Sequence, residues 1–133
     1  MKNKLTYIID DDKLTVKLMS ILIEKSKFCE EIQSFHNAQF AIEKLKENWN
    51  DNTILPDAIL LDLNMPVMDG WQFLEEFIHL SFKKEIFIFI MTSSIDPADI
   101  EKAKKYDVVK DYIMKPITAN KLDSLCKLIA EIN

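Results

Sequence analysis

Glycine is almost missing from this chain: Gly70 is the only one in 133 residues. Turns that need a residue free at positive φ must be made by other side chains. Cysteine is nearly as scarce. Cys29 and Cys126 have no CxxC spacing and no neighbouring His pair. That argues against a disulfide framework and predicts two reduced thiols at core or boundary positions. No apolar run approaches the length that spans a membrane. The N-terminus offers five apolar-leaning residues before three acids, so no secretory leader is expected and the chain reads as cytoplasmic. Basic charge is not in excess: 17 Lys and Arg stand against 22 Asp and Glu, a net charge of -5. A general nucleic-acid binder would have the opposite balance. Repeats, low-complexity tracts and linkers are absent too. The polar segment 48–53 reads as a loop rather than a boundary. Residues 1–133 fit one domain with a real core and no output domain.

What is present is an alternation of apolar strands and amphipathic helices. Strands are expected near 5–9, 31–35, 57–61, 86–91 and 110–114, and helices near 13–26, 38–48, 70–82, 97–106 and 119–131. Continuous apolar runs such as Ile86 to Ile90 suit a parallel sheet covered on both faces. The last helix has a clear stripe in Leu122, Leu125, Cys126, Ile129 and Ile132. Asp96-Pro97 reads as an N-cap followed by Pro at the first helical position, and Thr118 as the cap of the last helix. Five βα units predict a three-layer, doubly wound α/β domain. The first helix is apolar on two faces, with Leu14, Leu18, Ile21 and Leu22 on one and Val16, Met19 and Ile23 on the other. A partner helix could use the second set, and core packing is the simpler use for it.

The chemistry gathers where strands end. The first strand runs into Asp10-Asp11-Asp12, the third into Asp62, the fourth into Thr92-Ser93-Ser94 and the fifth into Lys115-Pro116. Open α/β sheets bind ligands outside the carboxyl ends of their strands. Adjacent acids at a strand end can simply cap the next helix, and that is the reading for Asp12. Asp10, Asp11 and Asp62 converge from neighbouring strands, and a divalent cation would relieve their mutual repulsion. Hard oxygen ligands suit Mg²⁺. A carboxylate can also be the nucleophile toward phosphorus. Phosphoryl transfer then needs positioning and charge neutralisation, which Lys115 and Thr92 can help supply. A lone Lys before Pro is usually a surface residue and a lone Thr a cap; their shared rim with the acids changes both readings. Small Ser93 leaves room for a phosphoryl group.

Asp10-Asp11, the run Asp62-x-x-x-Pro66-x-x-Asp69-Gly70, Thr92 and Lys115-Pro116 together resemble the receiver domain of two-component response regulators, over essentially the whole chain. The resemblance implies a (βα)5 flavodoxin-like sandwich with strand order 2-1-3-4-5. It implies Asp62 as phosphoacceptor. Mg²⁺ would be held by Asp11 and Asp62 side chains and the Asn64 carbonyl, with Asp10 helping through water. Lys115 would pair with the phosphoryl group, Thr92 would hydrogen-bond it, and the Lys115-Pro116 bond would be cis. Tyr112 occupies the position of a ring that moves inward as the Thr hydroxyl turns; a half-buried strand aromatic fits there equally. Asn64 and Ser94 hold positions that tune phosphoryl lifetime.

The implied donor is a histidine kinase or a histidine phosphotransfer protein, and the implied output is contact with a protein target through the 97–131 face. Catalysis would be confined to the domain's own phosphotransfer and dephosphorylation. One departure is local: Gly and Ala often precede the fifth strand in receivers, whereas this chain has Tyr106-Asp107-Val108-Val109.

Other readings remain open at this level. A non-phosphorylated pseudo-receiver would have no need of the full set Asp11, Asp62, Thr92 and Lys115. An aspartyl-nucleophile phosphatase would carry a second acid where Asn64 stands. A flavodoxin would have a Ser/Thr/Gly-rich loop after the first strand. Lys102, Lys104 and Lys105 read as a solvated helix face, and His36 and His79 lie away from the strand ends.

Overall fold

The computed structural model describes residues 3–82 and 84–132. Five strands, β1 (Leu5–Ile9), β2 (Glu31–Phe35), β3 (Ala58–Leu61), β4 (Phe87–Thr92) and β5 (Val109–Met114), alternate with five helices. These are α1 (Lys13–Ser26), α2 (Ala38–Glu47), α3 (Gly70–Phe77), α4 (Pro97–Ala103) and α5 (Ala119–Ile132). The sheet is parallel throughout, in the order β2-β1-β3-β4-β5. The doubly wound, flavodoxin-like expectation therefore holds.

Side-chain alternation divides the core into two layers. Tyr7, Ile9, Ile59, Leu61, Ile88 and Ile90 point to the face covered by α2, α3 and Ala103 of α4. Ile8, Ala58, Leu60, Phe87, Phe89 and Met91 point to the face covered by α1 and α5. Because β3 and β4 are buried on both faces, their sequences show no polar alternation.

Several boundaries differ from expectation. The third helix stops at Phe77 rather than near 82, and residues 78–80 turn away through the His79 and Leu80 N–H groups. Phe82, beyond that turn, packs against Phe77 with ring centroids 5.3 Å apart. Its apolar character made the segment look helical. The fourth helix ends at Ala103, and Lys105 and Tyr106 close tighter turns. On α1 the second face packs into the core, the simpler of the two uses expected for it: Val16, Met19 and Ile23 are buried, while Leu14, Leu18 and Ile21 are exposed. The stripe of α5 is buried at Leu122, Leu125 and Ile129 and half-buried at Cys126. The side chain of Ile132 lies outside the described residues.

The scarcity of glycine is met locally. Positive φ falls on Lys27, the C-cap of α1, and on Val67, at 57° and 69°. The approach to β5 needs none. Val109 N–H donates to the Tyr106 carbonyl, and an irregularity in the β4–β5 pairing at Ile88/Phe89 absorbs the extra residue. Both cysteines are free and half-buried. Among the described residues no helix is long and apolar enough to cross a membrane.

Candidate functional site

One rim of the sheet collects the chemistry. Ile9 of β1 is level with Leu61 of β3, so Asp10 and Asp62 leave the sheet side by side. Thr92 closes β4, and its carbonyl accepts the Lys115 N–H at 2.9 Å, which ties the end of β5 to the same place. The Lys115–Pro116 peptide is cis. Asp10 and Asp62 are 2% and 6% exposed, whereas Asp11 is open to solvent. One carboxylate oxygen of each lies within 4.8 Å of the others.

Lys115 completes the cluster. Its Nζ lies 2.6 Å from Asp10 Oδ2 and 3.5 Å from Asp62 Oδ2. Asp10 Oδ1 accepts the Asp12 N–H at 2.9 Å, so both Asp10 oxygens are engaged. Asp62 accepts the Asn64 N–H at a long 3.4 Å. Burial pushes the Asp62 carboxyl above the usual carboxylate range; Lys115 pulls it back and Asp10 adds to the rise. Three carboxylates against one ammonium leave excess negative charge. Hard oxygen donors with an open side at Asp11 fit a divalent cation such as Mg²⁺. Asp11 and Asp62 are the two carboxylates whose oxygens are not bound to Lys115 at short range.

The loop after Asp62 shows why its motif has that spacing. Asp69 caps α3 by accepting the Gln72 N–H, and Gln72 returns a bond to the Asp69 N–H, a complete capping box. Gly70 packs directly behind the acid: a Cβ there would lie 2.6 Å from the Asp62 carbonyl oxygen and 2.8 Å from Leu63 Cα. Glycine is required by close approach and not by φ, which is not positive. Asp12, as expected, caps α1, accepting from Leu14 N–H and from the Thr15 hydroxyl. Those bonds hold its carboxyl below the usual range.

Thr92 is fully buried, and its Oγ1 accepts from Ser94 N–H at 3.2 Å and from Asn64 Nδ2 at 3.4 Å. Tyr112 is half-buried in β5, and its hydroxyl donates to the Ser94 carbonyl at 3.1 Å. Ser93 is exposed beside the site. His36 and His79 are exposed and stand apart from these groups.

Three arrangements were not legible in the sequence. Lys115 pairs with Asp10 at shorter range than with Asp62. Lys102, read as a solvated face, places its ammonium 4.6 Å from the Trp71 ring centroid. At the opposite rim Asp57, just before β3, is buried against Lys84 at 2.8 Å and accepts the Lys4 and Leu5 N–H groups. The one available signal for that pair was an acid next to an apolar run.

Comparison with known proteins gives the same architecture. A family profile described as response regulator receiver domain matches residues 6–127. The crystal structure of a two-component response regulator from Cytophaga hutchinsonii superposes with a TM-score of 0.87 at 32% identity, covering 98% of this chain and 99% of that one. A response regulator receiver protein from Dyadobacter fermentans gives 0.82 at 28% identity, covering 96% and 98%. The Arabidopsis thaliana two-component response regulator ARR10 is 26% identical over 117 residues, 88% of this chain and 19% of that protein. The chain thus spans about a fifth of the length of such plant relatives.

Proposed function

The chain belongs to the response regulator receiver domain family, and from that premise we propose that it is a phosphorylatable receiver with Asp62 as the phosphoacceptor. The observation that carries the reading is the buried Asp62 carboxylate, 3.5 Å from the Lys115 ammonium and within 4.8 Å of two further acids. An Asp62 oxygen forms the new O–P bond as the P–N bond of a phosphohistidine breaks, and the imidazole leaves. Lys115, drawn from Asp10, and the Thr92 hydroxyl neutralise and orient the phosphoryl oxygens. Asp11, Asp62 and the Asn64 carbonyl are the groups that would hold Mg²⁺, with Asp10 acting through water. The cation, when bound, supplies charge neutralisation at the phosphoryl oxygens.

The donor in this reading is a histidine kinase or a histidine phosphotransfer protein. The exposed Leu14, Leu18 and Ile21 of α1 support a docking place beside the site. Leu18 and Ile21 line a cleft of about 280 Å³ together with Met91, Lys115 and Ile117. The phosphorylated domain acts in the cytoplasm by changing the protein-binding surface of residues 97–131, with Tyr112 moving after Thr92. Its catalysis is limited to its own phosphotransfer and dephosphorylation.

The test is incubation with acetyl phosphate or a phosphohistidine donor plus Mg²⁺, followed by intact-mass spectrometry. One hydroxylamine-labile phosphoryl group is expected, and none on Asp62→Asn. Undiminished labelling of that variant overturns the assignment. No labelling of the unsubstituted protein would instead favour the pseudo-receiver.

A further inference from the structure

α4 is a thinly held element. Of its seven residues only Ala103 is buried. Beyond that contact it is held by polar and cation–π contacts near its two ends. At the C-terminal end Lys102 lies over Trp71, and the hydroxyl of Tyr106 donates to Glu75 at 3.0 Å. At the N-terminal end Ser94 Oγ donates to Asp99 Oδ2 at 2.7 Å and accepts the Asp96 N–H at 3.3 Å. The main chain of Ser94 faces the other way. Its N–H donates to Thr92 Oγ1 and its carbonyl accepts from Tyr112. Ser94 therefore touches the site hydroxyl, the strand aromatic and α4 at once.

We propose that the Ser94–Asp99 hydrogen bond is a tether that passes the state of the Thr92 hydroxyl to α4, alongside any movement of Tyr112. This rests on Asp62 being the phosphoacceptor. Thr92 Oγ1 now accepts two bonds. Turning to donate to a phosphoryl oxygen directs its proton to the new group and removes the acceptor in front of the Ser94 N–H. A part-buried peptide N–H without a partner is unfavourable, so the Ser94 peptide must reorient. The 2.7 Å bond from the Ser94 hydroxyl to Asp99 ties the first turn of α4 to that movement. Ser94 and Asp99 are positioning residues in this account and do not touch the reacting atoms. Asp99 is half-exposed, so its replacement opens no cavity in the core.

The experiment is amide exchange and chemical-shift mapping with and without beryllofluoride and Mg²⁺, on the unsubstituted protein, Asp99→Ala and Asp99→Asn. Beryllofluoride should change Thr92, Lys115 and the 97–103 amides in the unsubstituted protein. In Asp99→Ala the Thr92 and Lys115 response should persist, while the change in exchange across 97–103 falls about fivefold or more, the low end of ordinary coupling between sites. Asp99→Asn keeps an acceptor oxygen and should restore it, which a merely structural role for the charge would not predict. A full α4 response in Asp99→Ala overturns the tether alone. Silence at Thr92 and Lys115 in the unsubstituted protein overturns the phosphoacceptor reading and the tether with it.

Discussion

Replacing Asp62 by Asn should make the metal-free protein more stable. Like charges no more than 4.8 Å apart repel by about 3 kcal/mol or more at an effective dielectric of ~20. Asp10 acts on Asp62 at that level, and exposed Asp11 at roughly half of it. Lys115, 3.5 Å away, attracts by about 5 kcal/mol on the same scale. These terms nearly cancel, so the burial of the carboxylate decides the sign, and burial opposes the charge. The Asn side chain removes that penalty, and Lys115 keeps its closer partner Asp10, so no buried ion is orphaned. We expect a gain of about 1–2 kcal/mol, or roughly 3–8 °C in melting temperature.

Thermal melts in EDTA and across a Mg²⁺ titration measure this. A cation at ten times its dissociation constant adds about 1.4 kcal/mol to the unsubstituted protein and less to the variant, so the two should converge. The pH dependence has a fixed sign. The folded-state pKa of Asp62 is raised, so its contribution is intact below the unfolded value and is lost as pH rises through the folded value. The gap between the proteins should therefore close in acid and open toward neutrality. A variant less stable than its parent in EDTA at neutral pH would refute the reasoning.

Tyr7 is fully buried, and its hydroxyl has no hydrogen-bond partner among the described residues. Tyr7→Phe should raise stability by about 1 kcal/mol in urea denaturation, the reverse of most core substitutions. Burial pushes the Tyr7 hydroxyl up to about 12, so stability should fall as pH climbs from its ordinary value toward that one, and the variant should show less of this loss. Val67 sits at a φ of 69° and is 91% exposed, so Val67→Gly should stabilise by roughly 0.5–1 kcal/mol in the same assay, and Val67→Pro should destabilise. Lys84→Met would leave Asp57 charged and buried with no counterion, at a loss of about 3–5 kcal/mol. Adding Asp57→Asn should recover part of it in a double-mutant cycle.

Most of the sheet and its chemical rim were legible because the first, third, fourth and fifth strands each run into a distinctive group. Asp10, Asp62, Thr92 and Lys115 could be placed from that alone. Helix ends were harder, since the apolar Phe82 beyond α3 continues its character by packing from a turn. The two faces of α1 are nearly equal in hydrophobicity, and only the packing of the helix on the sheet decides which is inside. Partner choice among ions was not legible either. Asp10 and Lys115 are 105 residues apart, and their 2.6 Å contact depends on β1 and β5, with two strands between them in the parallel sheet, ending at a shared rim. The Asp57–Lys84 pair joins loops, where periodicity carries no signal.

β3 has a buried carboxylate at each end, Asp57 before Ala58 and Asp62 after Leu61. The four residues of β3, five steps along the chain, separate them by about 17 Å. That is roughly twice the distance over which exposed charges still feel one another at physiological salt. The far carboxylate is clamped by Lys84 and by two peptide N–H groups of the neighbouring strand's entry. β3 is thus held firmly at one end and carries the proposed phosphoacceptor at the other. On that reading, phosphorylation of Asp62 acts on a strand already anchored at its far end. Its effect would then run sideways, through Thr92 and toward β5, and the proposed switch places the change of shape at that edge strand and not at the central one.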